Sequence, residues 1–447
     1  MHNTLDKRVS LTSLLKLTLP TIIMMVSFSL YTVIDGVFVA RYINSEALSS
    51  INITMPIINI LLGIGVMFAT GGSAIVAKYM GENKILKARE SFSLITISAL
   101  ALSCLIGIVC IIFIKDIIKI LGTTDLMYNY SYSYLLIMLV FTPFLILKIY
   151  FDYFLVTGGA PMLGLISSVA GGIINIVLDY LFIVKFNMGI SGAAFATCIG
   201  YVIPSLIGIS FFIKKSNIIH FVKPKFSFDI IKDCCLNGSS EMISQLSSSV
   251  TTFLYNIIMI SYLGEDGVAS ITIILYIQIL LNSACLGFTS GVSPRISYNY
   301  GSKDAEQVRN LVKYSYIIIL IFALISFLIC RSASHILVAI FVNPGSNIFN
   351  ITLEGFNIFS LGFLMSGINI FTSGMFTAFS NGKISAMISS VRTLISFVIG
   401  IVILPKILGI TGVWYVVPFA ELTTLILCIF QIIKYRSKYM YGNIFVS

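Results

Sequence analysis

The sequence predicts an all-α integral membrane protein with twelve transmembrane helices in two pseudo-symmetric six-helix lobes. Of its 447 residues, 57% are hydrophobic and only 10% are charged, whereas soluble domains carry about 25% charged residues. Twelve apolar stretches also reach about 20 residues, the length that crosses a bilayer. Finally, the second half of the chain repeats motifs of the first half at a constant spacing.

The twelve predicted spans cover most of the chain, in keeping with a mean hydropathy of +1.00. The first is too long for a signal peptide, and no polar segment between spans is long enough for a soluble domain. The spans are 13–40, 47–77, 91–114, 128–156, 163–184, 191–213, 233–262, 267–294, 311–330, 351–379, 385–404 and 412–433.

The net charge of +10 follows the predicted topology and does not indicate a nucleic-acid partner. Cationic residues concentrate in the loops on the side of the N-terminus, which orients both termini in the cytoplasm of a cell membrane. That side carries Lys7, Arg8, Lys78, Lys84, Lys87, Arg89, Lys214, Lys215, Lys223, Lys225, Lys232, Arg295, Lys303, Arg309, Lys313, Lys383, Lys434, Arg436 and Lys438. The other side carries only Arg41, Lys115, Lys119, Lys185, Arg331 and Lys406.

Three motifs recur in register about 220 residues later, which indicates an internal duplication. The pairs are Gly71/Gly291 with Gly81/Gly301, "ISSV" at 166–169 and 388–391, and "GISG" at 189–192 with "GITG" at 409–412. Six spans in each half give parallel repeats with a substrate path between them.

This duplication predicts the domain boundaries. They are an N-lobe at 1–213, a basic cytoplasmic linker at 214–229 and a C-lobe at 230–447.

Cysteine and histidine usage argues against an enzyme, a metal site or a cofactor. The eight cysteines form no CxxC pair, and isolated cysteines usually act as small buried apolar residues. The histidines, His2, His220 and His335, all lie outside the spans, and no HExxH motif is present.

Several segments together resemble the multidrug and toxic compound extrusion (MATE) transporters along essentially the whole chain. They are "LPTIIMMVSFSLYTVIDGVFVA", "GGSAIVAKYMGENK", "TGGAPMLGLISSVAGGIINIVLDYLFI" and "GISGAAFAT". The resemblance implies a V-shaped pair of lobes around a cavity that opens alternately to either face. It also implies efflux driven by inward H⁺ or Na⁺.

Four polar residues lie at one depth in the N-lobe. Asp35 and Asp179 are each six residues from the outer end of a rising span, and Thr197 is seven residues into a descending one, so all lie roughly 10 Å below the outer surface. Asn175 lies one turn from Asp179 on the same helix face. All-oxygen ligands suit a hard cation. Alternatively, two adjacent carboxyl groups can carry a proton, or the cluster only holds helices together.

The resemblance adds a role for these positions, because one MATE branch places its cation site on residues matching Asp35, Asn175, Asp179 and Thr197. All four match here. The repeat does not preserve them, since Asn175, Asp179 and Thr197 correspond to Phe397, Ile401 and Val417. One coupling site per chain is therefore expected.

The C-lobe carries its own intramembrane charges, Glu241, Arg392 and Glu421. We expect a polar network in which Arg392 pairs with Glu241 or Glu421; a second proton or substrate site is the alternative. Lys148 and Asp152 are four residues apart and can pair on one helix face. Pro20 removes a backbone hydrogen bond and is expected to kink the first span.

The substrate path is predicted from polar residues within spans, namely Gln245, Asn256, Gln278, Asn282 and Asn369. Acidic groups in the cavity favour amphipathic organic cations, including drugs. The expected protein is thus a monomeric prokaryotic antiporter with the bilayer and small molecules as partners. The alternative is a lipid-linked precursor flippase of the same broad superfamily, which would need a cationic cavity.

Overall fold

The structure is a computed structural model that describes Leu5 and residues 8–442. Lys7, His2 and the extreme ends of the two predicted lobes lie outside these residues. Within the described range the chain is helical, with no strand. The helices are α1 (Leu11–Tyr42), α2 (Ser45–Gly81), α3 (Ile85–Ile112), α4 (Ile114–Ile120), α5 (Asp125–Val140), α6 (Thr142–Thr157), α7 (Pro161–Asp179), α8 (Gly189–Ile213), α9 (Phe228–Gly301), α10 (Ala305–Ser332), α11 (Ser334–Ala339), α12 (Asn347–Phe359), α13 (Phe363–Ala378), α14 (Gly382–Ser390), α15 (Ser396–Leu408) and α16 (Ile410–Tyr435).

Two π-helical segments extend helices within spans. Tyr180–Lys185 follows α7, and Val391–Ile395 joins α14 to α15. A 3₁₀ turn at Ser360–Gly362 joins α12 to α13. The π-turns matter because such insertions in α-helices are frequent at functional sites.

The helices account for the twelve predicted spans. Ten are long and apolar enough to cross a membrane, and α5 with α6, bent by 56°, makes an eleventh. The 74-residue α9 is too long for one crossing of a hydrocarbon core about 30 Å thick. It contains non-helical backbone at Gly264 (φ 63°, ψ −148°), so its two parts are the predicted spans 7 and 8.

The helix that holds Pro20 runs without interruption from Leu11 to Tyr42. The side chains of Thr18 and Thr21 donate hydrogen bonds back to Leu14 O and Thr18 O beside the proline. The expected kink therefore does not break α1 into two helices.

The packing cores divide largely by chain half. One core runs from Leu5 to Ile219 and adds only Cys234 and Tyr298 from later in the chain. Two others are built from second-half residues, with Leu14 as the one first-half member. The linker between the halves, from Lys214 to Ser227, is not helical.

The duplication is visible in backbone geometry. Gly189 and Gly409, paired in the repeated motif, both have left-handed backbone (φ 56° and 61°), and each lies at the start of a transmembrane helix, α8 or α16. Only glycine takes this conformation at no steric cost.

The two halves touch closely at one end, which we name the linker face. It carries the 214–227 connection and the loops at 82–84 and 302–304, and Arg89 Nε donates to Ile218 O there, at 2.8 Å. A Cβ on Gly81 would collide with the carbonyl of Tyr298, and a Cβ on Gly301 with that of Lys78. Gly81 corresponds to Gly301 and Lys78 to Tyr298 in the repeat, so the two contacts are equivalent.

Candidate functional site

The N-half cluster forms where α1, α7 and α8 pack closely. A Cβ on Gly171 would lie 2.5 Å from the carbonyl oxygen of Gly200, and one on Gly172 would lie 2.9 Å from the ring of Tyr31. Small residues allow such backbone approach within membranes. The glycines of "VAGG" therefore let Asp35 on α1 meet the polar residues of α7 and α8.

The structure brings the four predicted residues together. The carboxyl groups of Asp35 and Asp179 lie within hydrogen-bonding reach of each other. Asn175 Nδ2 donates to Thr197 Oγ1 at 3.5 Å, and Thr197 Oγ1 donates to Ala193 O at 3.0 Å. Asp179 is completely buried and stands at the last residue of α7, where the π-turn begins.

The cluster offers oxygen atoms that no donor satisfies. Oδ1 of Asp35, Oδ1 of Asn175 and both carboxylate oxygens of Asp179 are buried without a hydrogen-bond donor from the protein. Among the described residues, neither aspartate forms an ion pair. Buried polar atoms in proteins are nearly always paired, so four unpaired oxygens in one cluster distinguish this site from ordinary helix packing.

Tyrosines lie beside the cluster, and none of them is predicted from the sequence. The side chains of Tyr134 on α5, Tyr31 on α1 and Tyr201 on α8 lie near Asp35, and Tyr134 also lies near Asp179. Tyr134 is 2% exposed. The sequence has 22 tyrosines. Singling out Tyr134 among them would have required the depth and facing of its helix to be known to within one residue.

The C-half charges form a different kind of group. Arg392, in the second π-helical segment, forms an ion pair with Glu421 of α16, with Nη2 2.8 Å from Oε1. Arg392 Nε also donates to Oε1 at 2.9 Å and to Oε2 at 3.1 Å. Asn369 Nδ2 donates to Oε2 and to the carbonyl of Glu421, at 2.7 and 2.9 Å. Of the two expected partners, Arg392 takes Glu421.

Lys148 and Asp152 form a third buried group, on α6. Lys148 Nζ lies 2.7 Å from Asp152 Oδ2, and both side chains are at most 6% exposed. The ammonium also lies 4.2 Å from the ring centroid of Phe28, and Ser168 Oγ donates to Asp152 Oδ1 at 3.2 Å. The pair joins α1, α6 and α7 below the cluster.

A narrow cavity lies between the halves, toward the linker face. Of the five residues predicted for the substrate path, none borders it; Asn369 instead contacts Glu421, and the other four stay predictions. The cavity is lined by Thr70, Ser73, Ala74, Tyr153, Glu241, Leu286, Thr289, Ser290, Ser293, Gly374, Thr377 and Ala378.

Comparison with known proteins identifies a family. The MatE family model matches residues 20–181 and again 242–402, two segments that begin 222 residues apart. The multidrug export protein MepA of Staphylococcus saprophyticus is 26% identical over 402 residues, covering 88% of this chain and 86% of that protein. MepA of Staphylococcus haemolyticus is 24% identical over 430 residues, covering 95% and 94%.

Solved structures agree with the predicted fold class. A MATE protein in its straight conformation superposes with a TM-score of 0.91 at 22% identity, covering 98% of both chains. A MOP superfamily transporter from Pyrococcus furiosus gives a TM-score of 0.88 at 22% identity, again covering 98% of both chains. These matches confirm an all-α MATE-like membrane fold.

Proposed function

The chain belongs to the MatE family of membrane transporters, and from that premise we propose that it is a multidrug antiporter. It exports amphipathic organic cations in exchange for H⁺ or Na⁺ moving inward. Family membership confirms that the chain is a transporter and not an enzyme. The MepA relatives, named as multidrug export proteins, support the drug-like substrate class.

One observation carries the coupling step of this proposal: in the cluster of Asp35, Asn175, Asp179 and Thr197, three carboxylate oxygens are buried without a donor, and among the described residues no cationic side chain pairs with either aspartate. Two neighbouring carboxylates in low dielectric repel each other unless a proton or a cation lies between them. Binding of the ion therefore favours close packing of α1 against α7 and α8, and its release favours their separation. A site whose occupancy changes helix packing can couple ion flux to opening of the substrate cavity.

Topology completes the proposal. The linker face is cytoplasmic, because its loops and both chain ends hold most of the lysine and arginine. The protein lies in the cell membrane of a prokaryote and acts as a monomer. The cluster is then roughly 10 Å from the outer surface, where it exchanges ions with the outside.

The flippase alternative receives no support from the charges. Lipid-linked pyrophosphates need cationic groups, and among the described residues the cavity between the halves is lined by one charged side chain, the acidic Glu241.

The test is ethidium efflux from vesicles in which a Na⁺ gradient or a pH gradient is imposed separately. Wild type is compared with Asp35→Asn and Asp179→Asn, and Asp116→Asn at the exposed end of α4 is the matched control. We expect one gradient to drive efflux in wild type and control, and both cluster variants to lose at least tenfold in rate. Unchanged efflux in the cluster variants would refute this role for the site.

A further inference from the structure

Glu241 is the one carboxylate that borders the cavity between the halves, among the residues the structure describes. We propose that Glu241 binds the positively charged group of an organic-cation substrate in this cavity. The inference rests on the proposed function, since it assumes that the chain carries organic cations. It adds the residue that selects them and the place where their charge is held.

The cavity wall presents hydrogen-bond acceptors. Many of its hydroxyl groups donate their protons back into their own helices: Thr70 to Val66 O, Thr289 to Cys285 O, Ser290 to Gly287 O and Ser293 to Thr289 O. Their oxygen lone pairs are left for a ligand. Together with a carboxylate, such a wall suits a cation and repels an anion.

Glu241 has no ion-pair partner of its own: among the described residues, no cationic nitrogen lies within 4 Å of its carboxylate. Arg392 is close enough to interact with it electrostatically, but the guanidinium is engaged in the two-pronged contact with Glu421. When Glu241 is ionised, the three side chains carry one net negative charge, and the carboxylate at the cavity is the one without an ion-pair partner.

The position of Glu241 fits a substrate-binding role. Helices from both chain halves line the cavity: α2 and α6 from the first, and α9 and α13 from the second. Gly71 packs on Cys234 and Gly238 on Met67, toward the linker face. A ligand held by Glu241 thus contacts the surfaces that must separate when the cavity opens to that face.

The cavity is narrow because Gly374 on α13 packs directly against Thr289 on α9. In this conformation it admits a compact charged group, such as an ammonium or iminium centre. Glu241 therefore recognises charge, and the apolar part of the substrate must be bound elsewhere.

The experiment compares two probes that share a ring system, ethidium, which is cationic, and dihydroethidium, which is neutral. Binding is measured by fluorescence with the full-length protein in detergent, where no gradient is needed. The variants are Glu241→Gln and, as a matched control, Glu354→Gln at an exposed position of α12. We expect Glu241→Gln to weaken ethidium binding at least tenfold and to leave dihydroethidium binding unchanged.

The outcomes separate this inference from the proposed function. Equal weakening of both probes, or unchanged ethidium affinity in Glu241→Gln, overturns the inference even if vesicles still export ethidium. Loss of Na⁺ binding in Glu241→Gln with ethidium binding intact also overturns it, because the residue would then hold the inorganic ion. Failure of wild type to export any cation refutes the proposed function, whereas Asp35→Asn should keep detergent binding of ethidium while losing transport.

Discussion

The acidic cluster of the N-half and the Arg392–Glu421 network of the C-half bury carboxylates in opposite ways. In the N-half, Asp35 and Asp179 face each other, and three of their four oxygens are buried without a donor. In the C-half, Glu421 receives hydrogen bonds from Arg392 and from Asn369. The duplicated scaffold thus holds an acidic cluster without donors at one site and an ion-paired network at the other.

Under the proposed function, the difference separates a site that must change charge from one that must keep it. A fully paired carboxylate gains little from binding another cation, so the Arg392–Glu421 network is expected to fix the packing of α13, α16 and the π-helical segment. An unpaired cluster has high energy until an ion or proton arrives, which would suit it to coupling. This view makes opposite predictions for neutralising substitutions at the two sites.

The largest effect is expected from Arg392→Met. It leaves Glu421 buried without its cation, and breaking a buried ion pair in this way typically costs about 3–5 kcal/mol. Thermal unfolding in detergent should show a clear loss of stability, while Lys119→Met at an exposed site should not. The double variant Arg392→Met with Glu421→Gln should recover most of the loss; if it does not, the pairing is not what stabilises the C-half.

Lys148→Met tests whether the loss of stability depends on which half of the chain holds the charges or only on breaking a buried ion pair. Lys148 and Asp152 form a buried pair in the N-half, so the variant should behave like Arg392→Met. The expected loss is smaller, about 3 kcal/mol at the low end of the range for broken buried pairs, because Ser168 still donates to Asp152. A loss of stability no larger than that of Lys119→Met would contradict the rule that breaking a buried ion pair destabilises the protein.

Much of this comparison could be predicted from the sequence, because the depth of a residue in the membrane follows from its distance to the end of its span. Counting residues from the ends of apolar runs placed Asp35, Asp179 and Thr197 at one level, and the structure brings them together. The sequence could not show that Arg392 pairs with Glu421 and not with Glu241. The pairing depends on how far side chains reach across three helices, and apolar stretches do not fix the rotation of each helix about its own axis.

Backbone irregularities were also beyond the sequence. The π-turns at Tyr180–Lys185 and Val391–Ile395 lie next to Asp179 and around Arg392, but their residues are ordinary helix and strand formers. The cavity lining was missed for a related reason. Serine and threonine are frequent throughout the spans, so the sequence does not distinguish the hydroxyl groups that line the cavity, and the rarer amides that it does single out lie elsewhere.

Gly301→Ala sharpens the comparison at the contact that the halves share. A Cβ there collides with the backbone carbonyl of Lys78, which cannot move without shifting α2, and overpacking typically costs about 1–3 kcal/mol. Gly81→Ala should cost a similar amount, because it makes the image contact on Tyr298. Gly164→Ala, whose Cβ would have ordinary contacts at 3.6 Å or more, serves as control in the same unfolding assay. Clearly unequal losses at Gly81 and Gly301 would show that the contact is not energetically symmetric.

The smallest effect, and the one that distinguishes the halves most directly, is on the stability of Asp179→Asn. The amide removes a charge that repels Asp35, and its own NH₂ group can donate to the facing carboxylate, so stability should be unchanged or rise by about 1 kcal/mol. Transport should fall at the same time, as expected where a functional site is kept at a cost in stability. Glu421→Gln, which leaves the buried Arg392 without a carboxylate partner, should instead lower the unfolding temperature under identical conditions. If Asp179→Asn destabilises the protein as Glu421→Gln does, the acidic cluster is a packing element, and the contrast between the two halves disappears.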